Sequence, residues 1–164
     1  MQKTTQTPAS LIWLICFWSA GSAFGILIAN GNTDVLASSL LLVGNHSSPL
    51  IALSALLPIL AVYLVSRFHL PGLIFPILFL KSVVDSFLLM GVSAAFGSAA
   101  WLAGSLLLFT DKIATVFLLY FAGKCLTERD RPQTARFASI LLVIAVTILV
   151  DYFYISPYFT YLMI

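Results

Sequence analysis

Apolar runs as long as a bilayer is thick constrain this chain more than any other feature of it. The stretch 11–29 contains no charged residue, and a helix of about 20 residues crosses the roughly 30 Å hydrocarbon core of a membrane. Comparable runs recur at 49–65, 73–96, 101–123 and 137–154, separated by polar or turn-forming breaks. The composition agrees: 61% of the chain is hydrophobic and 9% is charged, against about 25% charged in a soluble domain. So little polar surface cannot coat a water-soluble globule. The expected architecture is all-α: a polytopic transmembrane helix bundle of five spans, forming a single domain over 1–164.

The basic residues orient it. With five spans, Lys3, Arg67, Lys124, Arg129, Arg131 and Arg136 all fall on one side, and the opposite loops hold no Lys or Arg. Short cytoplasmic loops carry the excess of Lys and Arg, so the N-terminus is expected inside and the C-terminus outside. The first run exceeds the roughly 7–15 residues of a signal-peptide core and continues through Ser19-Ala20-Gly21. It is read as a retained helix.

Smaller signals fill in the order. Gly21 and Gly25 form a small-xxx-small face on the first helix, which lets another helix approach closely. The apolar stretch 35–43 is too short to cross and reads as an interfacial or re-entrant helix. Asn45-His46-Ser47 fits a glycosylation sequon by chance composition, and His46 has no second His or carboxylate at ligand spacing. Pro58 is expected to kink the second helix. The aromatic tail 155–164 reads as an interfacial belt. Cys16 and Cys125 lie far apart in kind and place and suggest neither a disulfide framework nor a zinc site. A formal charge of +2 supplies no electrostatic basis for binding nucleic acid.

The candidate site is the set of ionisable residues inside the apolar runs: Lys81, Asp85, Asp111, Lys112 and Asp151. Such groups are costly in lipid and face the bundle interior, where they find partners. At about 1.5 Å per residue from the inner edge, Lys81 lies roughly 12 Å deep, Asp85 and Lys112 roughly 18 Å, Asp111 about 20 Å and Asp151 about 22 Å. Two pairings are open. Lys81 and Asp85 share one helix face at i, i+4, whereas depth favours Asp85 with Lys112 across helices, leaving Lys81 to snorkel inward. Two lysines face three carboxylates, so one carboxylate, Asp111 or Asp151, is expected to carry a proton or face a hydrated cavity. Neither His46 nor His69 lies in a span. No nucleophile, metal or phosphate-binding pattern accompanies the aspartates, so neither a catalytic role nor a cofactor is expected.

Two stretches carry a likeness to a family. The glycine-bearing run Ala20-Gly21-Ser22-Ala23-Phe24-Gly25 leads to the polar loop after Asn30. Leu70-Pro71-Gly72-Leu73-Ile74-Phe75-Pro76 leads to Phe79-Leu80-Lys81-Ser82-Val83-Val84-Asp85. Together they resemble the stage II sporulation protein M family of bacterial membrane proteins, with Ser82 and Ser86 standing where that family tends to have glycine. The resemblance implies a non-enzymatic multi-pass scaffold of the bacterial cytoplasmic membrane, recruiting partners such as peptidoglycan-remodelling hydrolases or transporter components. On this reading Gly21, Gly25 and the loop 30–48 provide the contacts, and the charged residues hold the bundle. The alternative is a small transporter or permease subunit that uses the Asp/Lys slab for ion or proton passage. Membrane lipids are partners in either case, and a homo-oligomer is compatible with both.

Overall fold

The computed structural model describes residues 7–32, 56–97, 108–128 and 134–155. These residues form helices α1 (Thr7–Asn30), α2 (described over Leu56–Arg67), α3 (Ile74–Phe96), α4 (Phe109–Thr127) and α5 (Thr134–Val150), with a π-helical turn at Asp151–Ile155. The segments 35–43 and 156–164, with Asn45 and His46, lie outside the described residues.

Among the described residues, three stretches are long and apolar enough to cross a membrane: Ala9–Asn30, Pro71–Phe96 and Thr134–Tyr154. Their outward faces are apolar; Ile12, Trp13, Leu27, Leu80, Leu142 and Leu149 are all exposed. The interior, by contrast, holds Lys81, Asp85 and Asp111. Apolar residues outside and charge inside is the arrangement lipid imposes. The chain is thus an all-helical membrane protein across the described residues.

The breaks have local causes. After α2 the chain turns through His69, the single non-glycine residue with positive φ among the described residues (59°). The Leu70 N–H bonds the Val65 carbonyl at 3.0 Å and the His69 N–H bonds the Ser66 carbonyl at 3.2 Å. This is the paired closure of a helix end around a left-handed residue. Pro71 follows, where it cannot prolong the helix and suits the first turn of the next segment. His69 is therefore a turn residue. α3 stops at Gly97, whose φ of 54° favours glycine.

α4 is described from Phe109, with Leu108 out of helical geometry (φ −104°, ψ 15°); the part of the expected span at 101–107 lies outside the described residues. The first backbone bond of the helix is Lys112 N–H to the Leu108 carbonyl, 2.8 Å. Asp111, expected in mid-helix, therefore sits in the first turn, where the helix dipole favours a negative charge.

Packing gives each helix a direction. α1 runs parallel to α3: Phe17 meets Phe75, Gly21 meets Ser82 and Gly25 meets Ser86, both chains advancing together. α4 runs the other way, because Gly123 near its end comes up against Leu11 near the start of α1. Tyr63 stacks on Phe137 with ring centroids 4.0 Å apart, and Phe121 joins them at 6.2 Å. The end of α2, the end of α4 and the start of α5 therefore share one end of the bundle. The core runs inward from that end through Val62, Leu78, Leu118, Phe121 and Ile144. Both cysteines are free; Cys125 is buried in this core and Cys16 is exposed.

Candidate functional site

The α1–α3 seam sets the depth of the site. A Cβ on Gly21 would stand 2.5 Å from the Phe79 carbonyl oxygen, and one on Gly25 would stand 2.5 Å from the Val83 carbonyl oxygen. No real side chain tolerates that, so two glycines one turn apart are what let α1 lie directly on the α3 backbone. Ser82 fastens the seam. Its hydroxyl donates to the Trp18 carbonyl at 2.6 Å, which leaves Ser22 as donor in the 2.6 Å Ser22–Ser82 contact. The glycine face expected to recruit other proteins is thus occupied by the chain's own third helix.

With that flank of α3 covered, the adjoining flank carries Lys81 and Asp85 toward α4. Lys81 is 5% exposed, Asp85 3% and Asp111 1%. The Lys81 ammonium lies 2.5 Å from Asp85 Oδ1 and 2.5 Å from Asp111 Oδ1. Thr115 Oγ1 donates to Asp85 Oδ2 at 3.1 Å. The two interhelical contacts cross: Lys81 reaches outward to the first turn of α4, while Asp85 leans back to Thr115, one turn further along that helix. Asp111 Oδ2 and Thr110 Oγ1 are buried and have no hydrogen-bond partner among the described residues.

Two expectations need correction. Lys112 does not pair with Asp85, and Lys81 does not snorkel. Asp111 and Lys112 are neighbours about 100° apart on the helix, so one of them faces α3 and the other is turned aside. Asp111 is the buried one and Lys112 is half-buried. Lys112 lies within electrostatic range of Asp85 but makes no ion pair among the described residues. Counting depth along straight axes set Lys81 about 8 Å below Asp111; its four-carbon stem closes that gap.

Asp151 lies at the same end of the bundle as the start of α4. It is half-buried in the π-helical turn after α5, beside Thr110. Of the five ionisable residues singled out, three form one cluster and two flank it. The residues missed are Thr115 and Thr110. Thr115 follows Asp111 at i+4, repeating on α4 the spacing of Lys81 and Asp85 on α3, and that repeat is legible in the sequence. Thr110 had no such signal. No group of three His, Cys, Asp or Glu side chains converges on one point among the described residues. The chain matches no protein-family model, no curated protein and no solved structure.

Proposed function

We propose that this protein is a five-span subunit of a bacterial cytoplasmic membrane, non-enzymatic, whose Lys81–Asp85–Asp111 centre takes up and releases a proton in a small transporter or permease. The observation that carries this reading is one cation shared by two buried carboxylates, with the last oxygen of Asp111 buried and without a hydrogen-bond partner among the described residues. Fully ionised, the three groups hold one negative charge in excess. The first turn of α4 offsets part of it, equivalent to about half a charge at a helix N-terminus, and a proton removes the rest. Helix ends that meet an ionisable group in the middle of a bundle are the recurring device of secondary transporters.

The packing directions support five spans with the N-terminus inside. Parallel α1 and α3 require the chain between them to return across the bundle. The ends bearing Arg67, Lys124 and Arg136 lie together, as the positive-inside rule asks. Difference infrared spectroscopy tests the proton. A carboxylic-acid band that titrates in the wild type and disappears in Asp111→Asn supports the reading; no titrating band, or an unchanged band in that variant, overturns it.

A scaffold of the stage II sporulation protein M type is the second reading. It is favoured by the exposed apolar flank of α1, which carries Leu11, Ile12, Ile15 and Leu27. Contacts to a partner protein would use that flank in place of the Gly21–Gly25 face. Crosslinking from residues 12 and 27 in native membranes, with partner identification, separates the two. Cell-wall hydrolases support a scaffold, and permease subunits or an ATPase support transport.

A further inference from the structure

At the basic end of the bundle, α4 and α5 diverge around a groove of about 310 Å³. Both walls change chemistry in the same order along its depth. On α5, Arg136 stands at the mouth, Ser139 follows, and Ile140 and Val143 lie deepest; these positions share one helical face. On α4, which runs the opposite way, Phe117 lies deep and Tyr120 nearer the mouth. Lys124 continues that face, its ammonium 6.0 Å from the Tyr120 ring centroid. Cation, hydroxyl and hydrocarbon thus succeed one another on two antiparallel helices. Glu128 accepts from Lys124 at 3.3 Å and also from Arg136, tying the two cations to one mouth.

We propose that this groove binds one anionic phospholipid of the inner leaflet, of the phosphatidylglycerol class. The phosphate lies at Arg136 and Lys124, sharing them with Glu128. The glycerol region lies at Tyr120 and Ser139, and an acyl chain runs along Phe117, Ile140 and Val143. Charge complementarity selects the headgroup: two cations at one end of an otherwise apolar groove match a phosphate, and the cationic amine of a zwitterionic lipid meets like charge there. The graded walls select a lipid over a free phosphate, because most of the groove is hydrocarbon. This inference rests on the five-span reading only for the leaflet.

The test uses the full-length protein in vesicles of phosphatidylglycerol and phosphatidylcholine, with a trace of phosphatidylglycerol carrying a photoactivatable acyl chain. Crosslinks concentrated in the peptides around 117–124 and 135–143 are expected. Labelling spread evenly over the outer faces of α1, α3 and α5 overturns the proposal. Native mass spectrometry gives the selectivity. Arg136→Gln should lower phosphatidylglycerol retention about fivefold, from roughly 1 kcal/mol per basic residue near a membrane surface, while Ala135→Leu should lower it by narrowing the mouth without changing charge. Equal retention of the two lipids by the wild type, or displacement of the lipid by soluble glycerol phosphate, overturns it. Vesicles present both leaflets, so a reversed topology leaves the crosslinks intact and shows up only in labelling of whole cells.

Discussion

Replacing Lys81 with methionine is the sharpest perturbation of this bundle. Methionine keeps most of the volume and removes the charge, leaving Asp85 and Asp111 with no cation between them. Both Oδ1 atoms lie 2.5 Å from one nitrogen, so they are no more than about 5 Å apart. Two negative charges at that distance repel by about 3 kcal/mol at an effective dielectric of 20. Breaking a buried ion pair by removing one member is destabilising by about 3–5 kcal/mol, which is roughly two to four orders of magnitude in the folding equilibrium. Asp111→Asn should behave differently. It leaves one lysine with one carboxylate, and the expected loss is about 1 kcal/mol, the net worth of a hydrogen bond. Lys112→Met should lie within about 0.5 kcal/mol of wild type. The neutral triple variant Lys81→Met, Asp85→Asn, Asp111→Asn should regain most of what Lys81→Met alone loses. Unfolding by sodium dodecyl sulfate in mixed micelles, followed by helical circular dichroism, measures all four. A Lys81→Met protein as stable as wild type, or a Lys112→Met protein less stable than Lys81→Met, refutes the three-group centre and restores the Asp85–Lys112 pair.

Four further outcomes are expected. Gly21→Leu forces α1 off the α3 backbone, since even a Cβ at that position meets Ser82 Cβ at 3.0 Å; overpacking of this kind is destabilising by about 1–3 kcal/mol. Ser22→Cys with Ser82→Cys, in a background lacking Cys16 and Cys125, should form a disulfide on oxidation, and adding Gly21→Leu should abolish it. Arg136 holds the Glu128 carboxyl below its ordinary value of 4.5, with Lys124 assisting. The Glu128 clasp therefore contributes at neutral pH, persists down to the ordinary value, and is lost as pH falls through the lowered folded-state value. Thermal midpoints of wild type and Glu128→Gln should differ at pH 7 and converge in acid; a constant difference would count against the clasp. Finally, an impermeant maleimide should label Asn32→Cys in intact cells and Arg67→Cys only after the membrane is opened. The reverse pattern inverts the topology.

Much of this molecule is legible along the chain. The runs that become α1, α3 and α5 declare themselves by length and apolarity, because lipid leaves a backbone of that length one local way to satisfy its hydrogen bonds. Gly21 and Gly25 mark a close approach, and Lys81, Asp85 and Asp111 mark an interior, because neither small residues nor charges have a reason to face hydrocarbon. Leu70-Pro71-Gly72 marks a break between helices, because proline biases the residue before it out of helical geometry. These are properties of single residues and of near neighbours.

What tertiary structure alone decided is who meets whom. The glycine face belongs to α3 within the same chain, since Ser82 and Ser86 supply a complementary small surface on a parallel helix. Whether that face would turn inward or toward another protein is not written in α1 itself. Lys81 takes both carboxylates because the start of α4 at Phe109 aims Asp111 at α3 and turns Lys112 aside. Depth along a helix can be counted from sequence, but rotation about its axis and the point where it begins are set by the neighbours it packs against. A shift of one residue there turns a side chain by about 100°, enough to exchange Asp111 for Lys112 at the centre of the bundle.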